Sequence, residues 1–386
     1  MKEVMKTGIL INLLSFTPSS ATGVFVYADN LIRELTRIDS GRTYWIAVRN
    51  DMYRYLQGSL RDRGNVQYIV FGKFSLFLPR IAARIFKNRS ILEAAIRRRF
   101  QALIDRHAIR VAFFPSGALY PRGLRNVASI VTLYDLQQEY FPENFSSRHL
   151  QRRREDNRYA AQNADRILTI SEFTKKTVVE NYGVREEKIT VTHLAPRNFP
   201  VPEAISLPRQ YIFYPAALWP HKNHLVLFQA FSILKNTFPE LHVVLTGTEK
   251  QRNMLVEIRR TAEQNGVADR VHYLGHVSDS TLYTIYKNAA ALVFPSSFEG
   301  FGVPLVEAFS LGVPVVAADN TSIPEIVDGA GILVPTGDAK ALADSLERLL
   351  TDQKLRSELI AKGYERVKLF SWDKTAEATL KVFNYK

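Results

Sequence analysis

The stretch ALVFPSSFEGFGVPLVEAFSLGVPVV (residues 291–316) predicts a strand, a turn, a helix and a second strand. Residues 291–294 form an apolar run with the length of a buried strand, and a turn with two glycines follows. Pro304 suits the first turn of a helix, and Gly312 suits the position just after its end. This order of elements is typical of parallel sheets covered by helices.

The same alternation of short β-branched runs and helical stretches repeats along the whole chain. In the first half, strands are predicted at 9–14, 44–48, 66–71, 111–114, 128–133, 166–170 and 188–192. In the second half, they are predicted at 211–214, 242–246, 271–274, 291–294, 313–317 and 331–334. The proline-rich stretch APRNFPVPEAISLP (195–208) reads as a connector between the halves. We therefore expect two α/β domains with a ligand cleft beside the connector.

The composition suits a folded protein and restricts its chemistry. The chain has 386 residues, of which 46% are hydrophobic, so two domains with sizeable cores are expected. There is no cysteine, which excludes disulfides, thiolate metal sites and a cysteine nucleophile. The N-terminal stretch 1–23 resembles a signal peptide, but its apolar run is short and we interpret it as a first strand. We expect a cytoplasmic protein.

The net charge of +13 indicates an anionic partner. Residues 72–110 carry ten Lys or Arg and two acidic residues, mixed with apolar side chains. This composition is typical of a peripheral patch on an anionic membrane, and a solvated basic helix face explains it equally well. No nucleic-acid-binding module is visible, so we expect no nucleic-acid partner.

Two loops at predicted strand ends carry unusual residues. In YPAALWPHKNH (214–224), Lys222 stands just before a predicted helix for which Asn223 is a good N-cap. A lysine there is unfavourable to the helix dipole unless an anion such as a diphosphate lies between them, although a solvated loop lysine is the simpler interpretation. In the second loop, Glu299 and Glu307 lie eight positions apart and could bind the hydroxyl groups of one ligand, or both could be solvated.

Residues 291–338 resemble the donor-binding core of retaining glycosyltransferases of family 4, which have the GT-B fold. The family motif of two glutamates separated by seven residues is present as Glu299 and Glu307. The resemblance extends to 214–224, LTGTEK (245–250), the segment around Val277, and FSW (370–372). In the first half it reaches VTLYDLQQEYFPENF (131–145) and ADRILTISEFTKKT (164–177).

The resemblance implies two Rossmann-like parallel-sheet domains facing across a cleft. Residues 1–197 would bind the acceptor, residues 198–368 would bind the nucleotide sugar, and residues 369–386 would form a helix that packs back on the first domain. The implied reaction is transfer of a hexose, first mannose from GDP-mannose, to a lipid-linked or polysaccharide acceptor at the inner face of the plasma membrane.

The implied catalytic residues are Glu299, which contacts the transferred hexose, and Lys222, which holds the donor diphosphate. Glu307 would bind the ribose. The remaining implied substrate-binding residues are Gly300, Phe301, Gly302, Gly23, Asp135, Tyr134, Ser171, Gly247 and Val277. For Ser171, a plain helix N-cap is the competing interpretation.

This chain departs from the family pattern at two positions. Ala217 stands where the family commonly has a phosphate-binding arginine, and Tyr134 replaces the histidine before Asp135. No Asp-x-Asp motif is present, so we expect no metal or other cofactor to be required, with Lys222 and helix termini neutralising the diphosphate. The alternatives are a UDP-hexose donor, an epimerase or phosphorylase on the same fold, and a non-enzymatic binding module.

Overall fold

The computed structural model describes residues 8–18, 23–72, 90–249 and 253–384. They divide into two units. The first contains the described residues within 8–138, 145–193 and 372–384, and the second contains those within 139–144 and 194–371.

The first unit is built on a seven-stranded parallel sheet in the order β3-β2-β1-β4-β5-β6-β7. Its strands are β1 Gly8–Asn12, β2 Thr43–Arg49, β3 Val66–Phe71, β4 Ile109–Phe114, β5 Ala128–Leu133, β6 Arg166–Thr169 and β7 Ile189–Val191. Its helices are α1 Gly23–Ile38, α2 Asn50–Leu60, α3 Ser90–Arg106, α5 Ser147–Asn163 and α6 Glu172–Tyr182, and the short helix α4 Gln137–Tyr140 crosses the boundary to the second unit. The strands are apolar on both faces because helices cover both.

The second unit is built on a six-stranded parallel sheet in the order β10-β9-β8-β11-β12-β13. Its strands are β8 Gln210–Pro215, β9 Leu241–Thr246, β10 Val271–Tyr273, β11 Ala291–Phe294, β12 Val315–Ala318 and β13 Ile332–Val334. Its helices are α7 His224–Leu234, α8 Met254–Gln264, α9 Asp279–Asn288, α10 Val303–Ser310, α11 Ile323–Val327, α12 Ala339–Thr351 and α13 Gln353–Val367. Every strand predicted from the sequence is present, with ends shifted by at most two residues, so the predicted α/β fold class is confirmed.

The last helix, α14 Trp372–Phe383, belongs to the first unit. The Trp372 ring lies 6.3 Å from the Tyr27 ring of α1, and the Phe383 ring lies 5.4 Å from the Phe113 ring of β4. The Thr375 hydroxyl group donates to the carbonyl oxygen of His193 at 2.6 Å. A segment distant in sequence therefore completes the core of this unit.

Helix α10 is almost entirely buried, and it carries Glu307. It packs closely on α13, where a Cβ atom added at Gly363 would lie 3.0 Å from the Phe309 ring. This close packing of α10 on α13 helps to fix the direction in which Glu307 points.

Candidate active site

Lys222 and Glu299 form an ion pair in the second unit. Lys222 ends the 3-10 turn Pro220–Lys222 after β8, and Glu299 lies in the loop after β11. Lys222 Nζ lies 2.5 Å from Glu299 Oε1, and the two side chains are 17% and 12% exposed. At this low exposure the pair is weakly screened by solvent, so either charge would respond strongly to a charged ligand.

Four further hydrogen bonds fix the two loops that carry this pair, three of them between β8 or its loop and the loop after β11. The Ser297 amide donates to the carbonyl oxygen of His221 at 2.8 Å. The Tyr214 hydroxyl group donates to the Lys222 carbonyl oxygen at 2.8 Å and lies 2.8 Å from the Ser296 hydroxyl group. The Asn223 side-chain amide donates to the carbonyl oxygen of Pro295 at 3.3 Å. These hydrogen bonds hold the two loops together and so keep Lys222 next to Glu299.

The N-cap role predicted for Asn223 is wrong. Asn223 precedes α7, but its backbone is left-handed with φ 58°, and its side chain makes no capping hydrogen bond. The asparagine is needed for the left-handed turn, which it tolerates better than most residues, and for the contact with the loop after β11.

The backbone of Glu299 is anchored by the segment before α11. The Glu299 amide donates to the Thr321 hydroxyl group at 3.2 Å, and the Ser322 hydroxyl group donates to the Glu299 carbonyl oxygen at 3.0 Å. Thr321 has a φ of 50°, which is strained for a β-branched residue. Strain of this kind is concentrated at functional sites.

Glu307 is buried, with 1% exposure, so the alternative that it is a solvated helix residue is wrong. Arg197 Nε lies 2.5 Å from Glu307 Oε1, and the Tyr286 hydroxyl group donates to Glu307 Oε2 at 2.8 Å. Burial raises the pKa of Tyr286 well above its ordinary value, and the charge of Glu307 adds to that effect. Tyr286 therefore stays a neutral donor to the carboxylate.

Arg197 is a site residue that the sequence analysis missed. It lies in the proline-rich connector, and its Nη1 atom also contacts Asp279 Oδ1 at 2.5 Å, at the start of α9. Burial acts to lower the pKa of Arg197, but the charge of Glu307, the hydrogen bond to it and the charges of Tyr286 and Asp279 together outweigh burial, and the pKa is raised overall. The guanidinium group thus holds the charge of a buried carboxylate from a distant part of the sequence.

Two histidines flank Lys222. Burial lowers the pKa of His221 to about 3, and the charges of Lys222 and His224 act in the same direction. Burial also lowers the pKa of His224 to about 3, and the Lys222 charge contributes. Neither ring nitrogen of His224 has a hydrogen-bond partner among the described residues. Both imidazoles are therefore neutral beside the lysine.

The other predicted site residues of the second unit lie along the same sheet edge. Gly302 has a φ of 98°, and a Cβ atom there would lie 2.8 Å from Leu305. Phe301 is 2% exposed and packs on Phe370, so its ring belongs to the core, and Gly300 is half-buried beside it. Gly247 has a φ of 135°, and a Cβ atom there would collide with the Ala216 carbonyl group. Val277 is half-buried, two residues before α9.

Three of the four predicted residues of the first unit follow β5 or β6, and the fourth, Gly23, follows β1. Tyr134 donates its hydroxyl group to the Pro115 carbonyl oxygen, and Asp135 contacts Arg153. Ser171 is buried and accepts a hydrogen bond from the Thr174 amide at 3.0 Å, which confirms the N-cap interpretation. Gly23 is exposed and begins α1.

In the described part of the chain, no three His, Cys, Asp or Glu side chains lie close enough together to hold a metal ion. None of the helices described is both long enough and apolar enough to cross a bilayer. Of the basic stretch 72–110, residues 73–89 lie outside the described residues, and α3 contains most of the remainder.

The two Rossmann-like parallel sheets define the GT-B fold. A family model described as Glycosyltransferase Family 4 matches residues 21–195, and one described as Glycosyl transferases group 1 matches residues 197–366. The chain belongs to the family 4 glycosyltransferases, as the resemblance implied.

Similar proteins include the O-antigen chain mannosyltransferase B of Escherichia coli, 29% identical over 66% of this chain and 70% of that protein. The serotype-specific mannosyltransferase WbdA of Escherichia coli is 28% identical over 57% of this chain, and that match spans 29% of WbdA. Anabaena HepE, solved with UDP and glucose, superposes with a TM-score of 0.71 at 17% identity, covering 98% of this chain and 99% of HepE. Sucrose-phosphate synthase from Thermosynechococcus elongatus superposes with a TM-score of 0.72 at 21% identity, covering 98% of both chains.

Replacing Arg197 with Met should destabilise the protein because Glu307 would remain buried without a counter-charge. We expect the free energy of unfolding to fall by about 3–5 kcal/mol in urea denaturation. The double variant Arg197→Met, Glu307→Gln should recover much of this loss, since the buried charge is then gone. Arg259→Met, at an exposed position of α8, is the matched control. Equal stability of Arg197→Met and the control would show that the ion pair contributes nothing.

The neutral histidines predict a pH dependence of stability. A histidine that is neutral when folded, with a pKa of about 3, binds a proton only in the unfolded state between about pH 6.5 and pH 3, so stability falls as the pH falls through this window. Each such histidine contributes up to about 1.4 kcal/mol per pH unit.

His224→Phe should therefore reduce the loss of unfolding free energy measured in urea between about pH 7 and pH 5. Leu225→Phe, at the exposed neighbouring position, changes no titratable group and should keep the wild-type slope. An unchanged slope in His224→Phe would mean that the folded protein already protonates this ring.

Proposed function

We propose that the protein is a retaining glycosyltransferase that moves mannose from GDP-mannose to a lipid-linked or polysaccharide acceptor during assembly of a cell-surface polysaccharide. The observation that carries the proposal is the Lys222–Glu299 ion pair, held by hydrogen-bonded loops in the unit that matches the group 1 model. The named activities of the Escherichia coli relatives support mannose as the transferred sugar.

In this proposal Lys222 binds the donor diphosphate and Glu299 accepts hydrogen bonds from the hexose hydroxyl groups. The amides of residues 300–302 add donors near the start of α10. Glu307 accepts from the ribose hydroxyl groups. Its two oxygens each receive one bond from the protein, and a carboxylate offers about four acceptor positions, so capacity remains for a ligand.

Donor binding would exchange one ion pair for another. In the absence of a ligand, Lys222 pairs with Glu299, so that each charge compensates the other. When a diphosphate attracts Lys222, Glu299 loses its partner and becomes available to the sugar. The same carboxylate would stabilise positive charge that develops at the anomeric carbon as the bond to the diphosphate breaks.

The transfer step needs no covalent enzyme intermediate. The acceptor oxygen forms a bond to the anomeric carbon on the face that the diphosphate leaves. The electron pair of the breaking carbon–oxygen bond goes to the diphosphate, which also takes the acceptor proton. Lys222 stabilises the leaving group, and because His221 and His224 are neutral, neither contributes positive charge to that stabilisation.

We further propose that this step requires no divalent metal ion. Lys222 and the amides at the start of α10 supply the positive potential that a metal supplies elsewhere. The position at Ala217 adds no charge, so Lys222 carries a larger share of diphosphate binding than in relatives with an arginine there.

The donor and the metal independence are tested together by thermal unfolding. GDP-mannose and GDP should each raise the unfolding midpoint of the wild-type protein, since ligand binding to the folded state stabilises it. For each ligand, the rise should be the same with and without EDTA. Lys222→Met should abolish most of the shift. Glu299→Gln should keep the shift with GDP while mannosyl transfer, or donor hydrolysis, falls by about 100-fold or more.

Lys354→Met, an exposed lysine of the same unit, is the control for Lys222→Met. Stabilisation by UDP-hexoses but not by GDP-mannose would make a UDP-hexose the proposed donor and leave the transferase assignment unchanged. Near-normal turnover of Glu299→Gln would remove Glu299 from the catalytic site, and a shift that disappears with EDTA would refute metal independence.

We also propose that the protein works in the cytoplasm, as a peripheral protein on the inner face of the plasma membrane. Support comes from α3, where Arg97 and Arg98 are exposed side by side. Arg99 differs, because its guanidinium lies 4.4 Å from the centre of the Phe71 ring and donates to the Val70 carbonyl oxygen. Arg99 is therefore a structural residue, and the membrane contact is assigned to its two neighbours.

Replacing Arg97 and Arg98 with Gln should weaken binding to vesicles that contain phosphatidylglycerol. Each basic residue near an anionic surface contributes about 1 kcal/mol, so we expect a loss of roughly 30-fold in sedimentation assays. The double variant Arg259→Gln, Arg260→Gln removes the same charge from α8 and should bind like the wild type. Unchanged binding of the α3 variant would contradict the membrane assignment.

A further inference from the structure

Residues 139–144 belong to the second unit, although the chain immediately before and after them belongs to the first. The chain leaves the first unit after Gln138 and returns to it at Phe145. Gln138 is fully buried, and its side chain accepts a hydrogen bond from Arg153 Nε at 3.2 Å, which fixes the point of departure. So short a segment needs specific contacts to hold it in the second unit.

These contacts are made by aromatic rings. The Tyr140 ring lies 5.2 Å from the Phe298 ring, and the Phe141 ring lies 5.9 Å from the same ring. Phe141 also lies 6.4 Å from the His221 ring. At these separations aromatic rings attract one another. Phe141 therefore contacts both partner rings, and Tyr140 packs beside Phe298 with 43% of its surface exposed.

The two partner rings directly precede the two members of the ion pair. His221 is followed by Lys222, and Phe298 is followed by Glu299. Both rings are buried, so they are part of the packed base of their loops. Because only one peptide bond separates each ring from the charged residue, a displaced ring also displaces that residue. Phe141 contacts both rings and thus acts on both loops at once.

We propose that Tyr140 and Phe141 are positioning residues that hold Lys222 next to Glu299. Neither side chain is charged, so both act by packing against the rings that precede the pair. The inference rests on the proposed transferase site, and it adds to that site a segment that the sequence places between elements of the first unit.

The first test observes the ion pair without any substrate. Lys222 is 17% exposed and paired, so it should react slowly with acetic anhydride in the wild-type protein. Phe141→Ala should raise the rate of Lys222 acetylation, followed by mass spectrometry of the digested protein, about tenfold, the factor expected from the loss of two aromatic contacts. Glu299→Gln removes the ion pair directly and gives the rate of a released lysine.

Further variants separate positioning from a general loss of packing. Tyr140→Ala changes a partly exposed ring and should raise the acetylation rate about threefold, whereas Tyr140→Phe keeps the ring and should match the wild type. If Phe141→Ala does not fold, Phe141→Leu replaces it, and the loss of the ring should again raise the rate about threefold.

Tyr53→Ala is the matched control, because the Tyr53 ring lies 5.1 Å from the Tyr68 ring in the first unit. This variant loses a comparable aromatic pair. It should lower the unfolding midpoint and leave acetylation of Lys222 unchanged.

The second test measures turnover of GDP-mannose. Tyr140→Ala and Phe141→Ala should lower kcat by about 10-fold or more, because a displaced catalytic group loses its alignment with the substrate. In Tyr140→Ala, KM should stay near the wild-type value, since this ring packs on Phe298, which precedes Glu299, and the diphosphate is assigned to Lys222. Tyr140→Phe should restore the wild-type kcat.

Unchanged acetylation of Lys222 in the Tyr140 and Phe141 variants would overturn the proposal, as would an equal rise in Tyr53→Ala. A fall in kcat that persists in Tyr140→Phe would also overturn it, because the hydroxyl group and not the packing would then be responsible. Failure of the proposed function is seen separately. If the wild type turns over neither GDP-mannose nor a UDP-hexose, the transferase assignment fails, and the acetylation rates still decide whether this segment holds the ion pair.

Discussion

Parallel strands impose one constraint on both units, since each strand must end at the same edge of its sheet as its neighbours. In the second unit the chain order reverses between β8 and β11, and the loops after these strands carry Lys222 and Glu299. In the first unit it reverses between β1 and β4, and a polar cavity is lined by Ser116 after β4 and by Val24 of the helix after β1. The topology thus places one charged pair and one polar cavity at equivalent positions.

The protein compensates the charges of Glu307 and Asp135 in different ways. Around Glu307 a full negative charge is buried, and an arginine from the connector and a neutral tyrosine hydroxyl group compensate it. Around Asp135 the charges are half-exposed, and matched pairs keep the cavity neutral. The degree of burial of each carboxylate therefore decides how completely the protein must pair it.

The strands and the Lys222, Glu299 and Glu307 candidates could be predicted because they depend on local patterns: apolar runs, glycine turns and a fixed spacing of glutamates. Arg197 could not, because its partner lies 110 residues away and connector arginines are ordinarily solvated. Asn223 misled the prediction because asparagine serves both as a cap and in left-handed turns, and only the backbone angle distinguishes them. The neutral state of His224 depends on burial, which the pattern of α7 does not reveal for its first residue.

Helix α14 belongs to the first unit although almost the whole second unit precedes it in sequence. A ribosome therefore releases this helix only after residues 194–371 have emerged, and until then the surfaces of Tyr27 and Phe113 that it covers stay exposed. The first unit therefore cannot complete its core before the second unit has been synthesised. For the same reason, the first unit cannot be produced by cutting the gene at the connector, and a folded first unit would need residues 372–384 fused back onto it.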